Sequence, residues 1–329
     1  MVTKTTARKT VPKEKKTRDI TRRFGIGEWY GKNFAALTSI QRRRFAGSAL
    51  KSKGKKIAEP CPFRGEDGDV KCSKAGGVCS LRLYEHASEL KTGKSMGVTV
   101  VGDIGSYRAT CPYRFHEALM VFRWVGETIL GDSNPQMVGE VGFLEAAASL
   151  DSDAGDDVGR IDMVLVSNRT APGSPMDWTA VEIQAVYFSG DSMNGEFKAN
   201  ADPSIDWMPF PVGKRRPDYR SSGPKRLMPQ LQIKVPTLRR WGKKMAVIVD
   251  RAFFDSIGKM DHVKHISNAD IAWFIVKIEE VPGTTETRLV KDEVRYTTLE
   301  RSVEGLTGGT AVEKPIFEGR IAQKLGHLS

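Results

Sequence analysis

Asp162 and the Glu182, Gln184 pair are the residues whose types and spacing suit chemistry at a phosphoryl centre. Attack of water on a phosphodiester calls for a divalent ion, and hard ions such as Mg2+ want carboxylate oxygens held on a rigid edge. Residues two apart on a strand share a face, so Glu182 and Gln184 point together and Asp162, on an adjacent strand, meets them across the pair. A solvated strand face produces the same string. Against that bland reading, Glu182 lies inside Ala180-Val181-Glu182-Ile183-Gln184-Ala185-Val186, and Asp162 is followed by Met163-Val164-Leu165-Val166. A carboxylate in so apolar a run is expensive to bury unless it is paired or holds a metal. Glu145, in Phe143-Leu144-Glu145, is a further candidate acid.

The second constellation is Cys61, Cys72, Cys79 and Cys111, with gaps of ten, six and 31 residues and no other cysteine in the chain. In a reducing compartment four clustered thiols favour a tetrahedral metal site over two disulfides, although the paired Cys-x-x-Cys knuckles of zinc ribbons are missing. Free or oxidised thiols remain the alternative, and thiolate softness allows zinc or iron. With no open ligand position such a site is structural. His86 and His116 lie near the cysteines but are not needed as ligands. His262 and His265 lack a third ligand and read as surface residues.

The elements that must position these groups form an α/β pattern. From Pro60 to Arg114 the cysteines sit among Gly, Pro and charged residues, with a Gly76-Gly77 turn, which predicts a loop-built knob. Phe115, Leu119, Phe122 and Ile129 predict a helix over His116 to Leu130. Strands are expected over Arg160 to Val166 and Trp178 to Phe188, joined by turn material at Asn168 to Pro175. Leu227, Leu231, Val235 and Leu238 give Lys225 to Trp241 an apolar side, with Pro229 and Pro236 expected to break that helix into pieces. Met245 to Asp250 and Ile271 to Glu279 read as further strands, with a short helix near Phe253 between them. Trp241 and Trp273 occupy periodic apolar positions that suit core packing. Lys225, Arg226 and Lys234 either meet phosphates and transition-state charge or are solvated helix cations.

The charge is lopsided. Residues 1–56 hold 17 Lys or Arg against three acids, a balance of +14, whereas the remainder comes to −3 within the total of +11. A basic arm on a near-neutral body suits a polyanion, since neutralised phosphates release counterions; a solubilising tail has the same composition. Residues 1–20 are expected to stay mobile until bound. Residues 21–115 are expected to form an N-terminal segment with the cysteine site, and 116–329 the main domain. No apolar run approaches the roughly 20 residues of a membrane span and no secretory signal is visible, so a cytoplasmic protein is expected. The lack of a Gly-rich phosphate loop argues against ATP use.

Cys61-Pro62-Phe63, Gly77-Val78-Cys79 and Cys111-Pro112, followed in order by Asp162 and Glu182-Ile183-Gln184, resemble the NotI family of restriction endonucleases. Similarity continues through Phe188-Ser189-Gly190, Lys225-Arg226 to Lys234, and Ala272-Trp273. The resemblance implies a PD-(D/E)xK core, a mixed sheet flanked by helices, with a small loop-rich four-cysteine domain that holds iron. It implies a homodimeric type II enzyme making Mg2+-dependent cuts in double-stranded DNA at a GC-rich palindrome, with a cognate DNA methyltransferase as functional partner. Asp162 and Glu182 would ligate the catalytic ion, Ile183 would add its carbonyl, and Gln184 stands where a lysine is usual. Glu145 matches a family acid with a short insertion before Asp162. A non-catalytic DNA-binding protein using the cysteine knob and basic arm, a homing or repair nuclease, and a metal-binding structural protein remain alternatives.

Overall fold

The computed structural model describes residues 18–51, 59–65, 70–89, 95–100, 102, 105–145, 157–171, 173–308 and 312–326. Most of the basic arm expected at 1–20 lies outside the described residues. In chain order the elements begin with β1 (Arg18–Trp29), β2 (Lys32–Asn33), α1 (Ser39–Lys51), β3 (Val78–Glu89), β4 (Ser95–Val100), β5 (Arg108–Ala109) and α2 (Met120–Leu130). Next come β6 (Gln136–Val138), β7 (Val141–Glu145), β8 (Asp157–Ile161), β9 (Met163–Val166), β10 (Trp178–Ile183), β11 (Phe188–Gly190), α3 (Asn194–Ala201) and β12 (Arg215–Pro217). The chain ends with α4 (Tyr219–Ser222), α5 (Met228–Arg240), β13 (Met245–Asp250), α6 (Arg251–Ser256), β14 (Ile271–Glu280), β15 (Thr287–Thr297), α7 (Leu299–Thr307) and α8 (Lys314–Gly326).

The principal sheet has the order β15-β14-β13-β10-β9-β6. Its centre is parallel, β10 beside β13 and β13 beside β14, while β15, β9 and β6 run antiparallel to their neighbours. Central strands are covered on both faces, which is why β13 reads as the unbroken apolar run Met245 to Val249. Met245, Val247 and Val249 meet the Leu227, Leu231, Val235 and Leu238 stripe of the α5 region, with Phe253 and Leu306 beside it. Ala246 and Ile248 face the other layer, where Val121, Phe122 and Val125 of α2 pack with Phe274 and Val276. This helix–sheet–helix sandwich bears out the mixed α/β class expected from the sequence.

Several elements depart from expectation. The stretch between Pro60 and Arg114 is not loop throughout: β3 is a 12-residue strand in a second sheet, ordered β2-β1-β3-β4 with β5 on β3. Trp29, Tyr30, Phe34 and Tyr84 give that sheet its own core, shared with Phe197 of α3. The helix expected from His116 begins at Met120, because Glu117 leaves helical geometry to accept hydrogen bonds from Arg114 (2.9 Å) and from the backbone N–H of Leu289. Ala118 and Leu119 then turn through positive φ before α2 starts. The α5 helix runs unbroken through Pro236, which sits with Gln232 on the exposed side, so the carbonyl that loses its partner can be solvated. Pro229 follows directly on the π-helical turn Gly223–Leu227, which carries the helix into α5 without a break.

One buried ion pair ties the two sheets together. Arg114, fully buried, donates from Nε to Glu28 Oε1 on β1 at 2.7 Å and from a terminal nitrogen to Glu117. Thr287 of β15 donates to the same Glu28 oxygen at 2.6 Å, and the Phe63 ring lies 4.6 Å from the guanidinium. Glu28 Oε2 is buried with no hydrogen-bond partner among the described residues. Arg114→Ala would strand that carboxylate, so a loss of about 3–5 kcal/mol is expected as a lowered urea midpoint. A midpoint equal to that of the wild type would show that the pair carries no stability.

Candidate active site at the edge of the central sheet

Asp162 does not lie within a strand as expected from the alternation. The chain bends there, between β8 and β9, and this break sets the site. Antiparallel pairing of β9 with β10 ends at Val181 opposite Met163, so continuing the register by one residue faces Glu182 with Asp162. Residues opposite each other on such a pair are about 5 Å apart at Cα. Beyond Val181 that side of β10 has no paired strand among the described residues, while its other side stays on β13 through the Gln184 N–H to Ile248 carbonyl bond at 3.0 Å. Across a trans peptide C=O and N–H point opposite ways. The Ile183 carbonyl is therefore directed away from β13, towards the side where Asp162 stands.

Glu182 shares a face with Ala180, which packs into the layer containing α5. From α5 comes Lys234, only 2% exposed, whose Nζ donates to Glu182 Oε2 at 2.8 Å and to Asp162 Oδ1 at 3.4 Å. The two acids differ in environment: the Asp162 side chain is 60% exposed and that of Glu182 is 8% exposed. Both reach one ammonium, so both lie within range of a single cation. Two carboxylates and a backbone carbonyl make a hard oxygen donor set, which fits a divalent ion such as Mg2+. The sequence signal for Lys234 was its place in the apolar stripe, between Leu231 and Leu238 at helical spacing. That stripe faces the sheet, so Lys234 is not a solvated helix lysine.

Gln184 lies one residue beyond β10, where the chain leaves the sheet, and its Nε2 donates to the Ala185 carbonyl at 2.5 Å. It is not hydrogen-bonded to the Asp162–Lys234–Glu182 group, although Glu182, Ile183 and Gln184 all line one cleft of about 620 Å³. Lys225 and Arg226, in the π-helical turn Gly223–Leu227 that leads into α5, line it too. Glu145 ends β7 opposite Asp157, whereas Val141 at the other end of the ribbon faces Ile161. That register separates Glu145 from the Asp162 end by about 13 Å along the strand; the Glu145 side chain lies outside the described residues.

The cysteines approach in two pairs. A bridge between Pro60 and Lys71, with Cys61 N–H on the Val70 carbonyl (2.8 Å) and Cys72 N–H on the Glu59 carbonyl (3.0 Å), sets Cys61 and Cys72 diagonally across it. The Cys79 carbonyl accepts from the N–H groups of Thr110 (2.9 Å) and Cys111 (3.2 Å). The expected Gly76-Gly77 turn is present at φ +73° and +71°, and a Cβ on either residue would lie 2.2 Å from Phe197 or Tyr30. No disulfide forms. Burial, then the charges of Glu28 and Cys111, pushes the Cys79 thiol well up. The Cys72 thiol is raised by burial first, with Cys61 and Cys111 adding. Cys111 interacts with Cys61, Cys72 and Cys79, and thiolates suit a soft metal in chemistry, but among the described residues no three Cys, His, Asp or Glu side chains are gathered into a closed metal-holding cluster. This region also walls the cleft: Lys74 donates to the Thr110 carbonyl at 2.8 Å, and Lys74, Thr110 and Pro112 line it together with Glu182.

Other candidates sort by burial. His262 and His265 are exposed, and His262 contacts Arg295. His116 packs on Tyr113 and Phe122 and is held down to about 4 by burial and the Arg64 charge. Trp273 is core, whereas Trp241 is half exposed against Trp178, contrary to the packing expected for it. Among the described residues no helix is long and apolar enough to cross a membrane.

Burial, with the Asp162 charge adding and Lys234 opposing, pushes the Glu182 carboxyl up to about 7. The neutral acid favours the fold, so this contribution is complete below the ordinary glutamate range and is lost as pH rises through about 7. Asp250, raised by burial to about 6, acts in the same direction at lower pH. The metal-free protein should therefore melt at a lower temperature at pH 8 than at pH 6, and Glu182→Gln should flatten that difference. Added Mg2+ should raise the melting temperature more at pH 8. Identical pH slopes in wild type and Glu182→Gln would refute the assignment.

No curated protein matches the chain. A family model described as restriction endonuclease NotI matches residues 45–289, a span that holds all four cysteines, Asp162, Glu182 and Lys234. The match covers well over half of the chain and extends past the stretch on which the sequence resemblance rested. The chain belongs to the NotI family of restriction endonucleases, and is accordingly a DNA-binding, type II site-specific deoxyribonuclease.

Proposed function

We propose that the Asp162–Lys234–Glu182 corner is the cutting centre of a PD-(D/E)xK core, in which the lysine comes from α5 instead of from the strand. The observation that carries this reading is the buried Lys234 ammonium bonded to Glu182 at 2.8 Å and to Asp162 at 3.4 Å. Asp162, Glu182 and the Ile183 carbonyl would hold Mg2+. Bound there, the ion supplies polarisation of the phosphoryl oxygen and acidification of water. Lys234 fixes the orientation of both carboxylates and offsets charge gathering on the phosphate. The Gln184 amide lines the cleft and can orient water, but it can neither take a proton nor supply charge. Lys225, Arg226 and Lys74 set positive charge around the scissile phosphate.

In this reading residues 21–115 form the N-terminal segment in which Cys61, Cys72, Cys79 and Cys111 hold iron or zinc as a structural centre, and 116–329 form the nuclease domain. The closing of the sulfurs on the ion would fix the Lys74 and Thr110 wall of the cleft. A palindromic target, GC-rich by family likeness, calls for a homodimer because two strands need two centres. A cytoplasmic setting with a companion methyltransferase follows from the same likeness.

Long phage DNA incubated with the protein and Mg2+ should give discrete bands that vanish in Asp162→Ala and Glu182→Ala. Lys234→Met should slow cutting by about 100-fold or more while duplex binding persists; intact cutting in Lys234→Met would remove the lysine from the centre. Elemental analysis should find one iron or zinc per chain, lost in Cys79→Ser, and a metal-free wild type that cuts normally would exclude the cysteine site from the activity.

A further inference from the structure

A second concavity lies outside the cutting centre. A groove of about 810 Å³ runs between β1 and the β11–β12 hairpin, with Arg22, Arg23, Lys214, Arg215 and Arg216 among its ten lining residues. Half of that lining is cationic and none of it is acidic. Not every charge is free: Arg22 pairs with Glu85, and buried Arg215 is neutralised by Glu196 at 2.6 Å. Arg23 bonds only neutral oxygens, the carbonyls of Pro211 (3.1 Å) and Val212 (2.8 Å). Lys214 and Arg216 are exposed and form no ion pair among the described residues; Arg216 feels Asp218 only at longer range. Three cations without an ion pair among the described residues thus share one groove, with one carboxylate close by, that of Asp191, which accepts from the Lys214 backbone N–H at 2.8 Å.

The groove is rigidly built. Ser189 pairs with Arg216 and Gly190 with Arg215 across the hairpin, and a Cβ on Gly190 would lie 2.2 Å from the Lys214 carbonyl. Phe24 packs edge-on against Phe188 with centroids 5.3 Å apart, joining β1 to the hairpin, and the Arg108 guanidinium lies 5.0 Å from the Phe24 ring. It also lies close to the cleft along the chain. Gln184 lines the cleft and Ser189 the groove, so the two are at most about 17 Å apart along an extended chain, about five steps of duplex at roughly 3.4 Å each. Tyr187, lining the cleft with Arg226 4.8 Å from its ring, stands between them.

We propose that this groove grips the sugar-phosphate backbone of duplex DNA a few base pairs to one side of the cut, through Arg23, Lys214 and Arg216. The proposal rests on the cutting centre assigned above. Contacts of this kind set register and affinity and carry no sequence information. They are read through salt, because each neutralised phosphate contributes about 0.9 to the slope of log K against log salt.

The test is equilibrium binding of wild type and Lys214→Gln/Arg216→Gln to a labelled duplex of arbitrary sequence over a salt series, with Ca2+ replacing Mg2+. The slope should fall by about 1.8 in the double variant and by about 0.9 in Arg216→Gln. The control is Lys259→Gln/Lys264→Gln, which removes the same charge from an exposed loop before β14, at the end of the parallel strands away from Ile183. Its slope should equal that of the wild type. Unchanged slopes in the groove variants, or an equal fall in the control, would overturn the proposal. If the wild type cuts phage DNA but the groove variants keep its slope, the groove fails and the cutting centre stands. If the groove slopes fall but no cutting occurs, the cutting centre fails and the groove stands.

Discussion

A positive charge buried between a helix and a sheet edge is the constraint around which this protein is arranged. Lysine is almost never fully buried unless it is paired, and Lys234 is paired twice. Such a pair does little for net stability, since desolvation of two ions costs several kcal/mol and apolar residues of similar volume often do as well or better. The junction is held instead by Leu227, Leu231, Val235 and Leu238, each worth about 1.5–3 kcal/mol when fully buried. Those residues dock α5, and docking fixes an ammonium at the one place where β9 has turned away from β10.

The remainder of the molecule reaches the same edge from the other side. Arg114 and Glu28 lock the second sheet onto the helix–sheet–helix body, and Cys79 and Cys111 meet beside that lock. From the cysteine segments Lys74 and Thr110 extend to the cleft. The cleft therefore has one wall from the α5 approach and one from the cysteine region, and neither alone would enclose it.

Much of this was legible in the sequence, for stated reasons. β13 and β14 appeared at nearly their observed bounds because buried parallel strands leave continuous apolar runs, and the apolar side of α5 appeared through its period. Asp162 and Glu182 stood out because carboxylates in apolar company need a partner. The partner itself was weighed only as one cation among three, since 52 positions separate it from Glu182 and only the folded helix shows which residue faces the sheet. β1 and β3 were missed because charged residues interrupt them; their pairing buries backbone, a gain that no side-chain pattern reports. The late start of α2 was hidden too, because Glu117 is diverted by Arg114 and by the far-off Leu289. Gln184 was expected beside Glu182 by alternation, which ends where the strand ends.

Because the carboxylates and the ammonium come from separate stretches of chain, the site has an order of assembly during translation. Asp162 and Glu182 emerge from the ribosome first, on strands whose parallel neighbour, β13, has not yet been made. Lys234 follows on the helix that leads into β13, and β14 and β15 complete the sheet later still. A nascent chain halted before residue 234 carries both acids without the cation that aligns them. On the cutting centre proposed above, a chain short of residue 234 holds the acids that would bind the ion but lacks the ammonium that holds them together.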